Sequence, residues 1–139
     1  MNNKFQLNDY PLAEKMPEQI GSARGKSLDD LSMDAVLRGD VTIEDLRITP
    51  DALLAQAEIA RAAGRAALAE NFERAAELVD VPQDVIMETY EMLRPGRVST
   101  RQELIDHAEM FRRDYSAEKL AEFLETAAEI YHRRGLLKA

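Results

Sequence analysis

The 139-residue chain contains no cysteine and no tryptophan, and its aromatic content is only 6%. Without thiols there is no disulfide, no cysteine nucleophile and none of the common structural zinc sites. A core short of aromatic rings must be built from smaller side chains, and alanine is abundant. Helices pack closely on alanine, but each such side chain buries little area. A chain of this kind is expected to lean on a partner for part of its burial. No apolar run approaches the roughly 20 residues of a membrane-spanning helix. The opening stretch, MNNKFQLNDYPLAEK, lacks the apolar centre of a signal peptide. Positive charge is also scarce. Eighteen Lys and Arg stand against 26 Asp and Glu, for a net charge of −8 and a pI near 4.8. That balance argues against nucleic acid and against anionic membranes as partners, because both want clustered Lys and Arg. A cytoplasmic location is expected.

What is present is 45% hydrophobic and 32% charged residues, the composition of a soluble globular chain with one modest core. No period-two alternation occurs, so the fold class is all-α. Residues 1–26 differ from the rest. They carry Pro11, Pro17, Gly21 and Gly25, no sustained period, and a net charge of +1 (Lys4, Lys15, Arg24 and Lys26 against Asp9, Glu14 and Glu18). They read as an extended N-terminal arm preceding a helical domain at 27–139. Tyr10 and Leu12 within DYPLA are placed to lie on a surface. With no apolar period before Tyr10, residues 1–8 are expected to be dispensable for folding.

Two short helical turns follow. Ser27 or Ser32 caps the first, which Gly39 stops, and Thr42 with Asp45 forms a weak capping box for the second. Thr49, Pro50 and Asp51 then open a long central helix expected over about 50–79. Three further helices are expected: one from Pro82 that ends before Pro95, one capped by Ser99 or Thr100 with Glu103 in the box, and one capped by Ser116 and ended by Gly135. The last carries a stripe of Leu120, Phe123, Leu124, Ala127, Ile130 and Tyr131. The fourth carries Leu104, Ile105, Ala108, Phe111 and Tyr115.

Three patterns invite chemistry, and each has a plainer reading. GSARGKS (Gly21–Ser27) has three residues between its first glycine and Gly-Lys-Ser, where a phosphate-binding loop needs four after a strand. It reads as a loop ending at a helix cap. Glu129 and His132 form one Glu-x-x-His, but a di-iron bundle needs two such motifs and two more glutamates. His132, Arg133 and Arg134 suit a helix C-terminus, where cations are favoured. Glu118, Glu122, Glu125 and Glu129 read as a solvated face rather than paired acid–base groups. No catalytic, cofactor-binding or metal-binding residue is assigned.

On the wheel of the 50–79 segment, Leu53, Leu54, Ala57, Ala60, Gly64, Ala67, Leu68 and Phe72 share the inward face. Ile59, Ala62, Ala66, Ala69 and Ala76 lie opposite. That second side is small and apolar. Either it is sandwiched against another protein or its alanines are there for helix propensity. The partner-interface candidates are therefore Tyr10, Leu12, Ile59, Ala62, Ala66 and Ala69.

The segments DYPLA, KSLDDL, LRITPDAL, NFERAAELVDVP, LRPGR with ST following, and FLETAAEIYHRRGLL occur in one order. Together they resemble the small (gamma) subunit of coenzyme-B12-dependent diol and glycerol dehydratases, from about Asp9 to Leu137. The resemblance implies a complex of large (alpha), medium (beta) and small subunits, two copies of each. It turns a 1,2-diol or glycerol into an aldehyde and water by radical chemistry. Adenosylcobalamin is held by the other subunits, and this chain is a non-catalytic subunit packing on the large one. Two departures stand out. Many diol-type relatives have an additional N-terminal stretch linked with bacterial microcompartments, whereas eight residues precede Asp9 here. Gly96 replaces the family's usual aromatic, and Val98 is an extra residue in that loop. The rival readings are a free-standing helical adaptor without dehydratase partners and a small enzyme using the Glu129/His132 patch.

Overall fold

A computed structural model describes residues 5–137. The named elements among them are all helical, and an isolated antiparallel bridge joins Gly21 to Ser27. The chain divides into two compact units between Val79 and Asp80, and each is described by itself.

The first unit holds α1 (Leu12–Lys15), α2 (Met33–Leu37), α3 (Ile43–Leu46), α4 (Pro50–Ala62) and α5 (Ala66–Leu78). Single 3-10 turns lie at Leu7–Asp9, Pro17–Gln19 and Leu28–Asp30. Both serine caps form: Ser27 accepts from the Asp30 amide and Ser32 from the Ala35 amide. Thr49 caps α4 by accepting from the Ala52 amide at 3.2 Å, with Pro50 at the first helical position.

The single helix expected over 50–79 is instead a hairpin. It breaks at Gly64, whose φ of +73° lies in the left-handed region. The Gly64 amide bonds to the Arg61 carbonyl and the Arg65 amide to the Ala60 carbonyl, which closes α4 in the manner of a glycine-ended helix. The chain then reverses, and α5 packs back on α4. Ala57, Ala60 and Ala69 are buried between them, with Leu68 and Phe72 alongside. Arg61 of α4 reaches Glu73 of α5 at 2.9 Å. Small side chains let the two helices approach closely, which accounts for the alanine content locally.

The other side of α4 is covered too. Ala55 and Ile59 form a cluster with Phe5 and Leu12, and Met16 and Ile20 pack against it. The Phe5 amide donates to Glu58 Oε2 at 2.7 Å. So α4 does have two buried sides, but the second is covered by the chain's own first residues. These are wound into helical turns where an extended arm was expected. Phe5 also makes the opening residues part of a core, against the expectation that 1–8 are dispensable.

The second unit holds α6 (Gln83–Met92), α7 (Arg101–Tyr115) and α8 (Glu118–Arg133). Its core is α7 against α8, with Leu104, Phe111 and Leu124 its largest fully buried side chains. Ala108, Ala117, Ala121 and Ala128 are buried with them. Thr100 and Glu103 form the capping box of α7. Ser116 does not cap α8. It is the left-handed residue (φ 52°) that ends α7, and Ala117 precedes α8 with no side-chain cap. Arg112 clamps the turn by donating to Glu118 at 2.9 Å and to Glu125 at 2.9 Å. On α8, Leu120 and Leu124 are buried while Phe123 is 42% exposed, so the core face is narrower than the stripe. In the loop after α6, Gly96 has φ +81° and Val98 is buried. A left-handed backbone explains glycine at 96, and Val98 adds a side chain to this unit's interior.

Two predictions follow from the hairpin and its cover. No atom lies within 4 Å of where a Gly64 side chain would begin, so backbone strain rather than crowding decides that site. Gly64→Ala and Gly64→Leu should each cost about 1–2 kcal/mol, measured by denaturant melts. A much larger loss for Leu than for Ala would restore the crowded-face reading. Phe5→Ala should cost about 3 kcal/mol, and an unchanged melt would make the opening residues dispensable after all.

Candidate interaction surface

The six residues nominated from sequence separate into two groups. Leu12, Ile59 and Ala69 are buried inside the first unit, Leu12 and Ile59 in one cluster and Ala69 in the other. This fold leaves them no free surface. Tyr10, Ala62 and Ala66 are exposed. Ala62 and Ala66 flank the hairpin turn and do not belong to one continuous helical side.

One fully buried carboxylate side chain was visible in the sequence only as a capping residue. Asp45 turns inward from α3, and its side chain is fully buried. Its Oδ2 accepts from Arg24 Nη1 at 2.8 Å and from the Thr42 amide at 3.0 Å, and its Oδ1 accepts from the Ser22 hydroxyl at 2.9 Å. These donors, the Thr42 amide foremost, hold the Asp45 carboxyl below its ordinary range against the opposing effect of burial. The spacing Thr42-x-x-Asp45 signals the local bond. Nothing in the sequence signals Ser22 and Arg24, which lie more than 20 residues upstream.

The same clip settles the geometry of Gly21–Ser27. The amides of Arg24 and Lys26 both donate to Ser22 Oγ, at 3.2 and 3.1 Å, and the Ser22 amide bonds to the Lys26 carbonyl. These donors point into the loop's own serine, so they do not form the outward amide cradle that holds a phosphate. Gly21 is required by close approach, because an added Cβ would sit 2.9 Å from the Lys26 carbonyl oxygen.

In the second unit, His107 is half-buried against Phe111, edge to face with ring centroids 5.3 Å apart. Thr89, buried on α6, donates its hydroxyl proton to the Val85 carbonyl at 2.7 Å. Its oxygen is then left to accept from His107 Nε2–H at 2.8 Å, so Nε2 is the protonated nitrogen when the ring is neutral. Burial pushes the His107 pKa down, while the charge of Glu88 opposes it. Beside this pair is an open groove of about 580 Å³ lined by Glu88, Glu91, Arg97, Asp106 and His107, among others. Tyr131 donates its hydroxyl to the Leu93 carbonyl, tying α8 to the end of α6. The Thr89–His107 bond thus serves to join α6 to α7.

Glu129 pairs with Arg101 at 3.2 Å, and His132 lies exposed in the last turn of α8. No group of three or more His, Cys, Asp or Glu among the described residues is arranged to hold a metal ion. No helix among them is long and apolar enough to cross a membrane. Exposed large apolar side chains, by contrast, concentrate between Met33 and Ile48.

The described residues thus form two small helical units, with polar groups that bond helices and loops together and an exposed apolar stretch between Met33 and Ile48. The chain matches the family described as dehydratase small subunit over residues 5–138. It belongs to that family. It is 50% identical over 132 residues to the propanediol dehydratase small subunit of Citrobacter freundii and 49% identical to that of Salmonella typhimurium. Each alignment covers 95% of this chain and 76% of the relative.

We expect Asp45→Ala to lower the melting temperature by about 5 °C or more, since it strands three donors. The pH dependence has a definite sign. A depressed folded pKa adds stability above the ordinary value of 3.8, and that stability is lost as pH falls through the folded pKa. The gap between wild type and Asp45→Ala should therefore narrow in acid below that range. A gap that widens there would contradict the ionised clip.

Proposed function

We propose that this chain is the small, non-catalytic subunit of an adenosylcobalamin-dependent diol dehydratase. The enzyme converts a 1,2-diol or glycerol into an aldehyde and water. The observation that carries the reading is half identity, along nearly the whole chain, with subunits named for propanediol dehydratase. The chain packs on the large (alpha) subunit of a complex that also contains a medium (beta) subunit, with two copies of each. The complex works in the cytoplasm.

The residues of this chain do not fit the cofactor. Its groove beside His107 carries Glu88, Glu91 and Asp106, while cobalamin carries a phosphate that those carboxylates would repel. The amides of Gly21–Ser27 are already bonded within the loop. Cobalamin, which supplies the radical chemistry, belongs to the other subunits, and no step of the reaction is assigned to a side chain here. What this chain contributes is burial of its partner's surface and a fixed geometry for the assembly.

Co-expression with the large and medium subunits should give one complex by size analysis that dehydrates propane-1,2-diol or glycerol. The isolated chain should bind no cobalamin. Stoichiometric cobalamin binding by this chain alone would overturn the non-catalytic reading. Failure to join either subunit would favour a free-standing helical adaptor.

A further inference from the structure

The helices α2 and α3 are inside out. On α2 the buried residue is Ala35, while Met33, Val36 and Leu37 face outward, Leu37 at 79% exposure. On α3 the buried residue is a carboxylate, Asp45, while Ile43 and Leu46 are exposed at 66% and 58%. Ile48 follows at 59%. In a free-standing protein the larger apolar groups would go inward and the alanine and aspartate outward. Spacings of three and four residues put Met33, Val36 and Leu37 on one face of α2, and Ile43 and Leu46 on one face of α3. The Asp40 and Val41 amides bond to the Ala35 carbonyl, which closes the end of α2 two residues before α3 begins.

We infer that this α2–α3 face is the docking surface for the larger dehydratase subunit, and that the occupant is an apolar patch rimmed by Lys and Arg. The inference rests on the small-subunit reading above. Two observations select the occupant. The first is area. Taking roughly 200 Å² for each such residue when fully exposed, the six expose on the order of 700 Å², close to the ~800 Å² that one side of a standard interface contributes. The second is charge. Along the same stretch Asp29, Asp30, Asp34, Asp40, Glu44 and Asp51 are exposed, against Arg24, Arg38, Arg47 and the half-buried Lys26, which leaves an acidic excess. A second copy of this chain, docked face to face, would set acid against acid. A basic-rimmed partner is complementary.

The test uses the full chain carrying Leu37→Ser and Ile43→Ser together. Both side chains are exposed, so circular dichroism and the melting curve should match wild type. Affinity for the co-purified large and medium subunits should fall at least tenfold, and wild-type binding should weaken as salt is raised. If wild type assembles and the double variant assembles equally well, the face is wrong while the small-subunit reading stands. Salt-independent binding would overturn the basic rim. If wild type joins neither subunit, the reading itself fails. A wild-type homodimer abolished by the double variant would mean that a second copy covers the face, against this inference.

Discussion

The carboxylate of Asp45 governs what the first unit shows to its surroundings. A helix turns about 100° per residue, so Ile43 and Leu46 share a side of α3 and Asp45 points nearly the other way. With Asp45 held inward by Arg24, Ser22 and the Thr42 amide, the two aliphatic side chains have no interior to enter. Burying a charge is costly unless donors replace its water. Two of those donors, Ser22 and Arg24, come from the Gly21–Ser27 loop, so one group both ties that loop to α3 and aims Ile43 and Leu46 outward.

The hairpin of α4 and α5 shows a second economy of material. Alanines at 57, 60 and 69 allow close approach between the two helices, and Phe5, Leu12 and Ile59 fill the other flank. An alanine-rich core buries little area per residue, so the unit depends on both flanks being covered. The opening residues provide that cover within the chain. On α2 and α3, by contrast, the large apolar side chains lie exposed, which is why the proposed partner is set against them.

Local features were the legible ones. Thr49 before Pro50, Thr100 with Glu103 and Gly39 after α2 declare themselves by spacing, because a cap involves residues three or four apart. The break at Gly64 was not legible, because the apolar period runs on through it and an isolated glycine is tolerated within helical patterns. Treating two antiparallel helices as one gave a single wheel, and this placed Ile59 and Ala69 on a supposed partner side although each is buried in the chain's own core. Asp45 escaped for a different reason: its role comes from Ser22 and Arg24, contacts of the folded chain with no periodic signature. Family membership, in contrast, was readable from ordered segments such as NFERAAEL and RITP, and the full-length match bears it out. The loop departure at Gly96 and Val98 also gained a physical account, a left-handed turn and one more buried side chain.

The central claim is that this subunit contributes a prepared apolar face rather than a reacting group. Amide hydrogen exchange across the chain, free and then assembled with the large and medium subunits, addresses it most directly. The account predicts that amides from Met33 to Ile48 exchange readily in the free chain and gain strong protection in the complex, while α4, already covered on two sides, changes little. Protection gained elsewhere, with none between Met33 and Ile48, would contradict it.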